Sequence, residues 1–137
     1  MKAEMQAENA QILVVDDELL IRDLLYDFFT SQGYKVHMAG DGKEAFKIIN
    51  EVSFQVALVD LKMPEVDGIQ VVSELKRKKP EVPIIIMTAF PSMDSAIESI
   101  RKGVFNYIVK PFKMTELAET VKSALNEAKY RMERGCT

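Results

Sequence analysis

At 137 residues, with 47% hydrophobic and 28% charged side chains, the chain has the size and composition of one globular domain with a single core. A net charge of -3 argues against a general nucleic-acid or membrane binder, and no apolar run approaches the roughly 18 residues of a membrane-spanning helix. The lone cysteine, Cys136, has no intrachain partner, and the polar opening MKAEMQAENAQ lacks the apolar core of a secretory signal, which together point to the cytoplasm.

In chain order, Met1 to Gln11 shows no periodicity and reads as a loose leader. Ile12 to Val15 is a buried strand that ends in Asp16 and Asp17, with Glu18 as a first-turn acid of the helix behind it. That helix carries an apolar stripe of Ile21, Leu24, Leu25 and Phe28, and Gly33 is placed to end it. Lys35 to Ala39 is a shorter second strand, carrying an isolated His37 that reads as a packed or partly exposed side chain. It is followed by the turn Gly40, Asp41, Gly42 and a helical face of Ala45, Phe46, Ile49 and Val52. The run Val56 to Val59 ends abruptly in Asp60; such a run without polar alternation is what a strand covered on both faces looks like.

Asp67 is placed to cap a third helix with Ile69, Val72 and Leu75 inward; its final Lys76, Arg77, Lys78 and Lys79 complement the helix dipole better than they suit a nucleic-acid patch. Pro83 to Met87 is a fourth buried run stopping at Thr88. A helix then begins at Ser92 with Met93, Ala96, Ile97 and Ile100 inward, and Gly103 closes it. Tyr107 to Val109 is the fifth strand, stopping at Lys110. Thr115 is placed to cap a last helix on which Leu117, Val121, Ala124, Leu125 and Ala128 recur, running from about Thr115 to Arg134. At about 1.5 Å per residue it would span roughly 30 Å, long enough to begin a linker or a dimerisation stem. The organisation expected is a leader over 1–11, one domain over 12–130 and a tail or linker start over 131–137.

Five strands alternating with helices make a doubly wound parallel α/β domain, because parallel strands need helical, right-handed crossovers. The order 2-1-3-4-5 of the flavodoxin-like class sets the first and third strands side by side at the switch point, where ligands of open α/β sheets bind. The strand ends then converge: Asp16 and Asp17, Asp60, Thr88 and Lys110. Taken singly, an Asp at a strand end is most often a turn residue or a cap, and a lone Thr or Lys there carries no meaning. Together, adjacent carboxylates repel by about 4 kcal/mol per pair at about 4 Å and an effective dielectric near 20, so a cation is required among them. The oxygen set suits Mg²⁺, and with no nearby histidine or cysteine it does not suit zinc. Lys110 and Thr88 suit the oxygens of a phosphoryl group in transit, and Asp60 is a candidate nucleophile forming an acyl phosphate.

The motifs VVDDE (Val14 to Glu18), DLKMPEVDG (Asp60 to Gly68), Thr88-Ala89 and YIVKPF (Tyr107 to Phe112) resemble the receiver domain of bacterial two-component response regulators, over nearly the whole chain. The resemblance implies that Asp60 is the phosphoacceptor and that Asp16, Asp17, Asp60 and the backbone carbonyl of Lys62 hold Mg²⁺. It further implies that Thr88 is the switch hydroxyl, Tyr107 the aromatic switch, Lys110 the phosphate contact, and the Lys110–Pro111 peptide cis. The implied partners are a sensor histidine kinase and an output domain or downstream protein. A homodimer through the face of the fourth helix, fifth strand and fifth helix, or through the extended last helix, is also implied. No nucleic acid or membrane contact is expected of this segment, which is either a stand-alone regulator or the N-terminal piece of a longer one. Phe90 and Lys62 occupy positions that in this family border the path of the hydrolytic water.

Three other readings fit the residues less well. A Mg²⁺-dependent phosphohydrolase of the haloacid dehalogenase type wants a second Asp two residues after the nucleophile, where this chain has Lys62. A phosphorylation-independent interaction module with the same fold has no need of the acid cluster, Thr88 and Lys110. A nucleotide-binding protein would place a Gly-rich loop after the first strand, and none follows. The chain is therefore read as a signalling domain rather than a conventional enzyme, one that promotes its own phosphorylation and dephosphorylation.

Overall fold

The computed structural model describes residues 10–63 and 65–133. β1 (Gln11–Val15), β2 (Lys35–Ala39), β3 (Val56–Asp60), β4 (Ile84–Thr88) and β5 (Asn106–Val109) form one parallel sheet in the order β2-β1-β3-β4-β5. The connecting and closing helices are α1 (Leu19–Ser31), α2 (Gly42–Glu51), α3 (Gly68–Lys78), α4 (Met93–Arg101) and α5 (Met114–Glu133). This is the doubly wound, flavodoxin-like arrangement expected from the sequence.

Burial explains the strand sequences. β3 and β4 are buried at every position because helices cover both faces of the sheet, so VALVD and IIIMT need no polar alternation. Alternate residues feed two cores. Leu13, Val15, Ala57, Val59, Ile84 and Ile86 meet α2 and α3 on one side. Ile12, Val14, Val56, Leu58, Ile85 and Met87 meet Leu25 and Phe29 of α1 and Leu117, Val121 and Ala124 of α5 on the other.

The helix ends follow local chemistry. Asp67 caps α3 through Ile69 N–H and forms a capping box with Gln70, Asp41 accepts from Glu44 N–H, and Ser92 accepts from Ser95 N–H. Gly33 and Gly103, at φ 97° and 81°, follow α1 and α4.

Several expectations need correction. Gln11 belongs to β1 and Ala10 is buried, so neither is part of a loose leader; residues 1–9 lie outside those described. On α1 the buried side chains are Leu25 and Phe29, while Leu24 is 50% exposed. Glu18 is the N-cap residue of α1 and not part of its first turn. Pro83 stays outside β4, which ends with Thr88 inside the strand. On α4, Met93, Ile97 and Ile100 are 76%, 40% and 70% exposed and Ser99 is the buried residue, opposite to the expected face. A helix this short leaves the phase of its apolar stripe undetermined, and Tyr107 below it calls for small and polar neighbours. α5 starts one residue before Thr115, with Leu117 N–H donating to the Lys113 carbonyl, so Thr115 is not its cap. The helix continues through 131–133, in line with the length expected of it; Arg134 and Cys136 lie outside the described residues.

Gly68 is required by close approach. A Cβ there would press into the Asp60 carbonyl oxygen and lie 2.6 Å from Leu61 Cα, and Gly68 N–H donates to the Leu61 carbonyl at 2.9 Å. We expect Gly68→Ala to destabilise the domain by about 1–3 kcal/mol, in the range of overpacking, and to displace the backbone after Asp60. Urea unfolding with amide chemical shifts of Leu61 and Lys62 reads both; native stability with unmoved shifts would refute it.

Candidate functional site

Parallel register assembles the site. Val15 pairs with Val59, so the residues that follow, Asp16 and Asp60, emerge side by side at the carboxyl edge. Thr88 pairs with Val109 at the ends of β4 and β5, and Lys110 N–H donates to the Thr88 carbonyl at 2.7 Å. The ends of β1, β3, β4 and β5 thus lie along one edge, and β2 supplies the Ala39 carbonyl that accepts from Asp16 N–H.

Among the described residues, Asp16, Asp17 and Asp60 form an acidic group whose carboxylate oxygens all lie within 4.8 Å of one another. Asp16 is fully buried, Asp60 nearly so, and Asp17 is exposed. Lys110 Nζ lies 2.7 Å from Asp16 Oδ2, 3.1 Å from Glu18 Oε1 and 3.6 Å from Asp60 Oδ2. Asp16 is further fixed by Glu18 N–H, which donates to its Oδ1 at 2.9 Å, and by Arg22 Nη1, which donates to its carbonyl at 2.7 Å. Lys62 N–H donates weakly to Asp60 Oδ1 at 3.3 Å. The Lys110–Pro111 peptide is cis, as expected.

Electrostatics follow from this crowding. Burial pushes the Asp60 carboxyl up to about 6 and the Asp16 charge adds to the shift; Lys110 and the Lys62 N–H pull it down, and Asp17 pushes it up again. Burial alone would lower the Lys110 ammonium, but its hydrogen bond and ion pair with Asp16, the Asp60 charge and the Glu18 hydrogen bond hold it above the ordinary lysine value. One ammonium thus faces the two buried acids of this edge, Asp16 and Asp60, together with Glu18. All the donors in the cluster are hard oxygens, the set a magnesium-sized cation takes.

Thr88 and Tyr107, the two residues expected to act as a switch, lie on the neighbouring strands β4 and β5 and make separate hydrogen bonds. Thr88 is fully buried, and its Oγ1 accepts from Phe90 N–H at 3.0 Å. The Tyr107 hydroxyl lies 2.6 Å from Ser95 Oγ on α4. Phe90 is 66% exposed beside the site. His37 sits mid-strand, paired in register with Leu13, with its Nε2 2.7 Å from Gln11 Oε1, remote from the carboxyl edge. Sequence reasoning missed Glu18 as a partner of Lys110, Ser95 as a partner of Tyr107, and Arg22 as a clamp on the Asp16 backbone. Ser95 follows Ser92 at helical spacing toward the sheet, a signal open to a reader who had the face of α4 right.

A five-stranded sheet of this order, with buried acids at its switch point, defines the CheY-like class of α/β domains. The chain belongs to the response regulator receiver domain family, whose family model matches residues 12–122. It is 38% identical over 115 residues to the regulatory protein AtoC of Escherichia coli, covering 84% of this chain and 25% of AtoC. The chain thus spans about a quarter of that relative's length. Among solved structures it is similar to a CheY-like receiver domain protein from Methanospirillum hungatei (TM-score 0.87, 29% identity, 89% of this chain and 98% of that one). It is also similar to the response regulator TrrA of Thermotoga maritima in complex with Mg²⁺-BeF (TM-score 0.77, 36% identity, 85% and 99%). No described helix is long and apolar enough to cross a membrane.

The raised Asp60 value has a consequence for stability. A folded-state value of about 6 against an ordinary 3.8 means the folded chain holds a proton that the unfolded chain releases. That contribution is present at pH below the ordinary value and is lost as pH rises through about 6. At about 1.4 kcal/mol per pH unit, burial of the Asp60 charge, with repulsion from Asp16 added, costs the metal-free domain roughly 2–3 kcal/mol at neutral pH. We expect Asp60→Asn, measured by urea unfolding in EDTA, to be more stable than native by about 2 kcal/mol at pH 7.5, with the gain fading toward pH 4. A variant less stable at pH 7.5 would show that Lys110 already balances the cluster.

Proposed function

We propose that this chain is the phosphoacceptor module of a two-component response regulator, with Asp60 receiving a phosphoryl group from a phosphohistidine on a sensor histidine kinase. The observation that carries the reading is the buried convergence of Asp16, Asp60, Thr88 and Lys110 on one sheet edge. In the transfer an Asp60 carboxylate oxygen attacks phosphorus, the O–P bond forms and the P–N bond breaks. The electron pair of the broken bond stays on the imidazole nitrogen, which takes a solvent proton. Water later attacks the same phosphorus, releasing inorganic phosphate and restoring the carboxylate.

Asp16, Asp17, Asp60 and the Lys62 backbone carbonyl would hold Mg²⁺; the fit rests on the all-oxygen donor set and on the negative charge that Lys110 leaves unbalanced. When bound, the ion supplies the positive charge that lets an anionic phosphoryl group approach a cluster of acids. That the similar TrrA forms a complex with Mg²⁺-BeF supports Mg²⁺ as the ion here. Lys110 would contact the phosphoryl oxygens and Thr88 would turn its hydroxyl toward them. Tyr107 would then change its position, altering the surface of α4, β5 and α5. Such a shift works only as far as phosphate prefers one of two packings.

By analogy with its longer relatives, the receiver over 12–130 would control an output domain or downstream protein in the cytoplasm, with 131–137 beginning the connection. The α4–β5–α5 face or the long α5 would serve a homodimer, and the segment itself would touch neither nucleic acid nor membrane. It acts as a switch that promotes its own phosphorylation and dephosphorylation, not as a conventional enzyme.

Intact mass after incubation with acetyl phosphate tests this. We expect a gain of one phosphoryl group that requires Mg²⁺ and is absent from Asp60→Asn; no gain in the folded native chain would favour a module that signals by binding alone. Phe90 stands exposed beside Thr88 and would shield the acyl phosphate from water. Phe90→Ala should therefore shorten the lifetime of the phosphorylated form severalfold, followed by mass after removal of the donor, and an unchanged lifetime would exclude this role.

A further inference from the structure

Glu18 occupies the N-cap position of α1 and makes no side-chain cap hydrogen bond. Glutamate is a poor cap, whereas Asp41, Asp67 and Ser92 at the starts of α2, α3 and α4 all accept from a helix N–H. The Glu18 side chain turns instead to the acid cluster, where its Oε1 accepts from Lys110 Nζ at 3.1 Å. Lys110 has two hydrogen bonds, to Asp16 and Glu18, while Asp60 stands at 3.6 Å, beyond hydrogen-bond reach. The Lys110 side chain is 8% exposed, but that of Glu18 is 58% exposed and can leave for solvent at little cost.

Resting on the phosphoacceptor reading above, we propose that Glu18 is a positioning residue that tethers Lys110 away from Asp60 in the unphosphorylated chain and is released when Lys110 takes up the phosphoryl oxygens. The tether sets a threshold for phosphorylation: it holds the Lys110 ammonium beyond hydrogen-bond reach of Asp60, and its own charge adds to the field that an anionic donor meets. Two substitutions separate these effects. Glu18→Asp keeps the charge but lacks the reach, and is free to cap α1; Glu18→Gln keeps the reach and loses the charge.

With acetyl phosphate and Mg²⁺, followed by intact mass over a range of donor concentrations, Glu18→Asp should raise the maximal phosphorylation rate about threefold to fivefold, the scale of one exposed ion pair. Its donor half-saturation should stay as in the native chain. Glu18→Gln should raise the rate and also lower the half-saturation. A purely structural role would change stability without this split, and a Glu18→Asp rate equal to native would overturn the tether. A second reading needs no donor: proton exchange of the Lys110 ammonium, observed by nitrogen-15 NMR, should be at least about threefold faster in Glu18→Asp, on the same ion-pair scale. Unchanged exchange would overturn the proposal. Failure of the native chain to take a phosphoryl group would instead refute the phosphoacceptor reading, and the ammonium exchange would still decide whether Glu18 holds Lys110.

Discussion

The mutual repulsion of carboxylates at the carboxyl edge of the sheet is the constraint on which the rest of the structure turns. Asp16 and Asp60 are placed side by side by the register of β1 and β3, out of water and with Lys110 as their shared cation. In water this arrangement would cost little, but buried it lifts Asp60 to about 6 and leaves the edge short of positive charge. A domain selected only for stability has no reason to keep such a cluster, since groups of perturbed pKa gather where chemistry is done.

The fold makes that arrangement possible because the cost is offset elsewhere. β3 and β4 are buried at every position and feed two cores, one on each side of the sheet. Burial of a Val, Leu or Ile side chain contributes about 1.5–3 kcal/mol, so a few such residues outweigh the strain at one edge. The loop after Asp60 is held by the Asp67 capping box and by Gly68, whose missing side chain lets α3 start against the Asp60 backbone. Position and charge are thus supplied by different parts of the same strand.

α4 is built differently from its neighbours. α3 buries Val71, Val72 and Leu75, whereas α4 turns Ser95 and Ser99 toward the sheet and its Met and Ile residues outward. The Tyr107–Ser95 hydrogen bond joins α4 to β5, and Ser99 Oγ is buried with no hydrogen-bond partner among the described residues. Less apolar burial and an unpaired hydroxyl mean that α4 is held to the sheet by weaker forces than α3 is. The packing of α4 against Tyr107 therefore takes less free energy to change than that of α3.

How much of this was legible beforehand differs from element to element. Apolar runs ending in Asp60, Thr88 and Lys110, punctuated by Gly33, Asp67 and Gly103, are local signals, and they sufficed for the strand count, the sheet order and the convergence at one edge. The face of α4 was not legible, because nine residues with Met93, Ile97 and Ile100 fit an inward stripe as well as an outward one until Tyr107 occupies the space beneath. Glu18 read as a helix acid for the same reason: its partner Lys110 lies 92 residues away, and no local pattern encodes so distant an ion pair. By itself the sequence determined which residues reach the carboxyl edge, since strand endings are written in neighbouring side chains. Only the tertiary structure decided which of them touch, because distances among charges depend on sheet register and helix rotation, set by packing over the whole domain.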